Sequence, residues 1–154
     1  MFKLSTKGRY AVRAIYEIAK VFPKGITLEE ISKSQNISKV YLAQILNRLR
    51  QARLIKSSRG PGGGYVLRKK PEEISLYDIL EPLEGPVSIA SCVDPAESCD
   101  EVEECIACPI WKKIAQCIEC ILKSITLSDL LVIKEKKGTI SWEKIDKNCF
   151  PNET

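Results

Sequence analysis

Ser38-Lys39-Val40-Tyr41-Leu42-Ala43-Gln44-Ile45-Leu46-Asn47-Arg48-Leu49-Arg50, followed shortly by Leu54-Ile55-Lys56-Ser57-Ser58-Arg59-Gly60-Pro61-Gly62-Gly63-Gly64-Tyr65-Val66-Leu67-Arg68, decides the fold. In the first stretch Leu42, Ile45, Leu46 and Leu49 fall at i, i+3, i+4 and i+7. That spacing lays one apolar stripe along a helix, and Ser38 is placed to cap its start. The opposite face carries Tyr41, Gln44 and Arg48. In the second stretch two short strands, Leu54–Ser57 and Tyr65–Arg68, flank a glycine-dominated tip, which reads as a β-hairpin.

Working outward, Thr27 with Glu30 three residues later forms a capping box that opens a short helix through Leu28 and Ile31, ending near Gln35-Asn36. About four residues separate that helix from the Ser38 helix. Two helices joined by a tight turn, the second displaying polar and basic groups, follow the helix-turn-helix plan. Glycines at the hairpin tip let the backbone approach another surface closely, and Arg59 is placed to enter a minor groove. A helix-turn-helix followed by a basic hairpin predicts a mostly α fold with a small β-hairpin wing: a winged helix. Upstream, Ala11, Ala14, Ile15, Ile18 and Ala19 recur at helical spacing between Lys7 and Lys20, with Ser5 or Thr6 as cap and Pro23 and Gly25 as terminators.

Charge distribution agrees with a nucleic-acid partner. The chain of 154 residues carries a formal net charge of +4, but residues 1–70 hold 16 Lys/Arg against 3 Asp/Glu, while residues 71–154 hold 8 against 17. The front half is therefore +13 and the back half −9; the basic half implies a polyanionic partner, and the acidic half argues against simple nonspecific stickiness. With 44% hydrophobic residues the chain has enough apolar side chains to bury a core. No apolar run is long enough to span a bilayer and the N-terminus lacks a secretion-type apolar stretch, so the expected location is a reducing cytoplasm, with no membrane partner. Histidine is absent, which excludes Ser-His and Cys-His catalytic pairs, a histidine general base and histidine metal ligands from this chain.

Downstream of the wing, Ser75 and Asp78 cap a helix with Leu76, Ile79, Leu80 and Leu83, and Gly85-Pro86 begins an irregular stretch. It leads to Cys92-Val93-Asp94-Pro95-Ala96-Glu97-Ser98-Cys99-Asp100-Glu101-Val102-Glu103-Glu104-Cys105-Ile106-Ala107-Cys108, four thiols in a segment with few apolar groups. Seven cysteines in a reducing compartment argue against a disulfide framework and for metal ligation or redox sensing. Pro109 suits the first turn of a helix, along which Ile110, Ile114, Cys117, Ile118, Ile121 and Ile125 make one apolar face. Such a face in so small a protein wants a partner, and the same helix of a second copy gives a symmetric homodimer whose two recognition helices read successive half-sites of a double-stranded operator. Cys117 and Cys120 read as helix packing, and Cys149 as a free thiol in the tail. Thr126 and Asp129 cap a last helix with Leu127, Leu130 and Leu131.

Ser5-Thr6-Lys7-Gly8-Arg9-Tyr10-Ala11-Val12, Ile37-Ser38 through Tyr41-Leu42 to Arg48-Leu49-Arg50, and Arg59-Gly60-Pro61-Gly62-Gly63-Gly64-Tyr65 together resemble the IscR/NsrR/CymR family of bacterial winged-helix transcription regulators. The match runs from residue 2 to about 135 and includes Ile125-Thr126-Leu127. The resemblance implies a dimeric regulator, not an enzyme, with an iron-sulfur cluster in several members. It divides the chain into a winged helix-turn-helix domain at 1–84, a cluster-binding loop at 85–108, a dimerisation helix and following helix at 109–137, and a loosely held tail at 138–154.

By that resemblance Cys92, Cys99 and Cys105 are three ligands, and Cys108 stands where IscR-like members have a histidine as the fourth. The first cysteine gap holds six residues where those members usually have five, and either a 2Fe-2S or a 4Fe-4S cluster is compatible with four thiolates. Val40 and Ala43 replace residues that are more often Ser and Glu in IscR-like members, and the loss of a carboxylate at Ala43 removes an acceptor for cytosine and a repulsion against phosphate, so the operator sequence of those members does not carry over. Ser38, Lys39, Tyr41 and Gln44 are expected at the major groove, Arg59 at the minor groove, and Arg50 and Lys56 at phosphates. Structural zinc is the rival for the thiols, although only Cys105/Cys108 forms a CxxC knuckle in the segment. A thiol-based repressor is a further alternative. An iron-sulfur electron carrier or cluster-delivery protein would use the cysteines but leave the basic front half and the wing without a purpose.

Overall fold

The computed structural model describes residues 4–60, 63–97 and 105–136, together with Ile145 and Cys149. In chain order these form α1 (Thr6–Lys20), α2 (Leu28–Gln35), α3 (Lys39–Gln51), β1 (Ile55–Ser58), β2 (Gly64–Leu67), α4 (Leu76–Glu84), α5 (Cys108–Ser124) and α6 (Leu127–Lys136). A 3-10 turn at Pro71–Glu73 links the wing to α4.

Short-range hydrogen bonds set the helix starts. Ser5 caps α1 by accepting from the Gly8 N–H, and Ser38 caps α3 by accepting from the Tyr41 N–H. Thr27 with Glu30 and Ser75 with Asp78 close reciprocal capping boxes on α2 and α4. The Thr126 N–H donates to Asp129 Oδ2 at 2.7 Å at the head of α6. Each such cap is worth about 1 kcal/mol, because it satisfies backbone N–H groups that have no partner inside the helix.

The core lies where α1, α3, α4 and the first turn of α6 meet. Ala11, Ala14, Ile15 and Ile18 from α1, Leu42, Leu46 and Leu49 from α3, Ile79 from α4 and Leu127 from α6 are fully buried. Truncating one of the α3 leucines to Ala costs about 2–5 kcal/mol, since the cavity left behind adds to the lost transfer energy. Among the described residues one charged side chain is buried at the edge of this core. Glu17, only 4% exposed, accepts from Lys20 Nζ at 2.9 Å and from Gln35 Nε2 at 2.6 Å, which pins α2 to α1. Burial pushes its pKa up, but the hydrogen bonds from Lys20 and Gln35 outweigh burial and hold the carboxyl below its ordinary value.

β1 and β2 pair antiparallel, with Ile55 opposite Leu67 and Ser58 opposite Gly64. Sequence reading placed each strand one residue earlier or later and missed a third participant: Ile26, just before α2, bridges to Tyr65 through N–H···O bonds of 3.1 and 2.7 Å. Gly64 makes that approach possible. Its φ is +136°, and a Cβ there would lie 2.3 Å from the Ile26 carbonyl oxygen. A second bridge pairs Ser75 with Thr126, so the starts of α4 and α6 are tied together.

Candidate nucleic-acid interface and cysteine loop

The turn between α2 and α3 is locked from both sides. Asn36 takes the left-handed conformation at φ 51°, Ile37 is buried, and the Ser32 hydroxyl donates to the Ile37 carbonyl at 2.6 Å. With Leu42, Ile45, Leu46 and Leu49 turned inward, α3 presents Val40, Ala43, Gln44, Asn47 and Arg50 outward, all exposed. Val40 is 75% exposed, an apolar side chain standing open on the outward face of α3. Asn47 accepts from the Arg50 guanidinium at 2.9 Å and so steers it. The helical period contains both Val40 and Asn47; sequence reading put Val40 on the DNA side without naming its contact and left Asn47 out.

The expected contact residues are placed unequally. Ser38 is exposed, but its hydroxyl is engaged as the α3 cap. Lys39 forms an ion pair with Glu29 of α2 at 3.2 Å, and Glu29 also takes Lys33 at 3.3 Å. The hydrogen bonds from Lys39 first and then from Lys33 lower the Glu29 pKa. Tyr41 is half-buried, edge-on to Tyr10 with ring centroids 5.9 Å apart, and Arg13 lies over Tyr10 at 5.4 Å. Lys56 on β1 and Arg59 just beyond it are exposed; Pro61 and Gly62 of the tip lie outside the described residues. A cleft of about 360 Å³ between the start of α1, α3 and α4 is lined by Lys7, Tyr41, Gln44, Arg48, Pro82 and Leu83. Lys7 and Arg48 add positive charge beside Gln44, a convergence that links distant parts of the chain and that the sequence alone did not show.

In the cysteine loop, Cys92 is half-buried in a turn where the Val93 N–H donates to the Ala90 carbonyl at 2.9 Å. Cys105 is half-buried, Ile106 is 93% exposed, and Cys108 is 1% exposed at the head of α5, its N–H donating to the Cys105 carbonyl at 3.2 Å. Cys105 and Cys108 thus share one turn, the chelate spacing of a CxxC pair. Cys99 lies outside the described residues. Among the described residues no three Cys, Asp or Glu side chains converge on a metal-sized point. The donor set, soft thiolates with no histidine in the chain, fits an iron-sulfur group in kind.

Along α5 the chain buries Cys108, Ala115 and Ser124, while Ile110 (56% exposed), Trp111 and Ile114 (both 39%) remain open to solvent. Of the apolar face read from the sequence, Ile110 and Ile114 are therefore left uncovered among the described residues, whereas Cys117, Ile118 and Ile121 are half-buried and Ile125 is buried. Two cysteine expectations need correction. Cys120 does not simply pack within the helix, nor is Cys149 a free thiol: the two form a disulfide with Cα atoms 5.6 Å apart. The bond forms because the chain returns to α5 after α6, and Ile145, four residues before Cys149, is buried.

A helix-turn-helix with an exposed polar and basic recognition face, flanked by a hairpin anchored through Ile26, defines a winged-helix DNA-binding regulator. The chain belongs to the Rrf2 family, described as iron-dependent transcriptional regulators, whose profile matches residues 4–132. It is similar to the HTH-type transcriptional regulator IscR of Aliivibrio salmonicida, 36% identical over 145 residues that cover 94% of this chain and 86% of that one. Among solved structures, T. potens IscR superposes with a TM-score of 0.72 at 34% identity, covering 92% of this chain and 96% of that one. CymR, the global cysteine regulator of B. subtilis, superposes with a TM-score of 0.69 at 37% identity, covering 86% and 98%. The protein is thus a transcription regulator and not an enzyme, as the resemblance implied. Among the described residues no helix is long and apolar enough to cross a membrane.

Proposed function

We propose that this protein is a homodimeric transcription regulator that reports iron-sulfur, iron or redox status through a cluster held by Cys92, Cys99, Cys105 and Cys108. The supporting observation is the position of Cys108, buried in the first turn of α5 and one turn from Cys105, at the junction between an acidic loop and the helix whose apolar face stands open. When bound, the cluster supplies a redox-active, oxidant-sensitive centre. The chain's own part is to fix the head of α5 through Cys105 and Cys108, so that an anionic group held there would sit near the positive end of the helix dipole. Ile110, Trp111 and Ile114 then meet their counterparts on a second copy, which pairs two winged helices for successive half-sites. Gln44, with Ser38, Lys39 and Tyr41, serves the major groove, Arg59 the minor groove, and Arg50 and Lys56 the phosphates.

Iron and acid-labile sulfide analysis of anaerobically purified protein tests this reading. Ser at Cys92, Cys99 or Cys105 is expected to abolish the visible charge-transfer absorbance, and Ser at Cys108 to shift or weaken it, while Ser at Cys117 leaves it intact. Operator affinity should differ between cluster-loaded and cluster-free dimers by a coupling of about 1–3 kcal/mol. Zinc without sulfide would replace the cluster with a structural metal. A second reading, a regulator acting through thiols alone, draws on the likeness to CymR, the global cysteine regulator of B. subtilis. Metal-free protein that still changes operator affinity with thiol oxidation would favour it.

A further inference from the structure

A regulator that binds DNA works in the compartment that holds DNA, where thiols are ordinarily kept reduced and the rare disulfides are transient or regulatory. A bond between Cys120 and Cys149 has no obvious place there as a permanent staple. Both residues are half-buried rather than sealed in the core, so small thiols and disulfides reach them. The bond spans 29 residues and joins the C-terminal half of α5 to the tail close to the buried Ile145.

We propose that Cys120 and Cys149 form a reversible thiol-disulfide site, separate from the cysteine loop, whose oxidation fastens the tail to α5. The co-reactant is a low-molecular-weight disulfide. The Cys120 thiolate attacks one of its sulfur atoms, forming a mixed disulfide and releasing one small thiolate. The Cys149 thiolate then attacks Cys120 Sγ, forming the protein bond and releasing the second small thiolate. Two protein thiols are oxidised, one small disulfide is reduced to two small thiols, and excess small thiol reverses the sequence. Cys117, half-buried three residues before Cys120 on the same helix, is the competing thiol within the chain. Cys120 lies roughly a quarter turn around α5 from the stripe of Ile110, Ile114 and Ile121, so Cys149 is fastened to the flank of the helix rather than on that stripe.

The test equilibrates the full chain, purified anaerobically with whatever metal it carries, in buffers of graded oxidised and reduced glutathione. Remaining thiols are alkylated and the protein is mapped by non-reducing peptide mass spectrometry. The expected result is a Cys120–Cys149 linked peptide that rises with oxidised glutathione and disappears with excess reduced glutathione. Trypsin should cut within 138–154 more slowly in the oxidised than in the reduced chain. Cys149→Ser should abolish both the crosslink and the protection, and so should Cys120→Ser, while Cys117→Ser changes neither. Exclusive pairing of Cys120 with another cysteine, a bond that survives excess reduced glutathione, or tail cleavage indifferent to redox state would each overturn the proposal. Loss of the loop's chromophore without loss of this reversible bond would overturn the cluster reading alone.

Discussion

Lys39 Nζ lies 3.2 Å from Glu29 Oε1, so the first residue of the recognition helix is tied across the turn to the helix before it. Lys33 shares the same carboxylate at 3.3 Å. Glu29 therefore competes with any phosphate for two of the cations nearest the recognition helix. Glu29→Gln is expected to tighten operator binding a few-fold at low salt. It should also steepen the plot of log K against log salt by roughly 0.9 for each additional phosphate neutralised. Fluorescence anisotropy over a salt series measures both, and unchanged affinity with an unchanged slope would place Lys39 and Lys33 away from the DNA.

Arg59 stands at the exposed end of β1, where the wing leaves the body of the domain. Arg59→Ala should weaken operator binding by about 1–3 kcal/mol, whereas Lys56→Ala should weaken cognate and unrelated duplexes alike and reduce the salt slope by about 1. Equal losses for both variants on both kinds of duplex would mean that Arg59 only neutralises charge.

The wing itself depends on Gly64. A methyl group there would meet the Ile26 carbonyl at 2.3 Å, and the positive φ is unfavourable for any other side chain. Gly64→Ala is expected to cost more than about 1 kcal/mol of folding stability and to loosen the hairpin from Ile26. Urea denaturation gives the first quantity, and hydrogen exchange at the Tyr65 amide, which donates to Ile26 at 2.7 Å, gives the second.

Acid should weaken the α1–α2 contact. The Glu17 carboxyl titrates below its ordinary value of 4.5 in the folded chain because Lys20 and Gln35 bind its charged form more strongly than burial opposes it. A carboxyl with a depressed folded pKa contributes stability that is complete above the unfolded pKa and is lost as pH falls through the folded one. Wild-type stability should therefore decline below about pH 4.5 partly through this group. Glu17→Gln should flatten that decline and cost roughly 1–3 kcal/mol at neutral pH, where a charged acceptor is exchanged for a neutral one. Thermal melts from pH 3 to pH 7, roughly spanning the carboxylate range, compare the two slopes.

The features legible in the sequence were those written within one helical turn or one hairpin. Leu42, Ile45, Leu46 and Leu49 are buried as their spacing predicts, and Thr27, Ser75 and Thr126 cap the helices they precede. What sequence reading missed depends on residues distant in the chain. Glu17 is buried because Gln35 reaches it from 18 positions away, and Tyr41 is withdrawn by Tyr10. The Cys120–Cys149 pair requires the chain to return to α5 over 29 residues, and no local pattern encodes that. The interface residues were readable as types, a polar and basic helix face, but not as commitments: Ser38 is engaged as a cap and Lys39 in an ion pair. The exposed Ile110 and Ile114 on α5, by contrast, were visible in the sequence because their spacing lies within one helix.

The bridge between Ser75 and Thr126 makes α5 a lever with a fixed fulcrum. The Leu76 N–H donates to the Ile125 carbonyl and the Leu127 N–H to the Ile74 carbonyl, each at 2.8 Å, so the C-terminal end of α5 is riveted to the wall of the DNA-binding core. Its other end, at Cys108, lies about 25 Å away for a helix of 17 residues. A rotation of about 5° about that fulcrum sweeps the Cys108 end through roughly 2 Å, since displacement grows with the length of the arm. Read in the opposite direction, a small rearrangement at the Cys105–Cys108 turn would reach the core at Ile74 and Leu76, at the start of the helix that packs against α3.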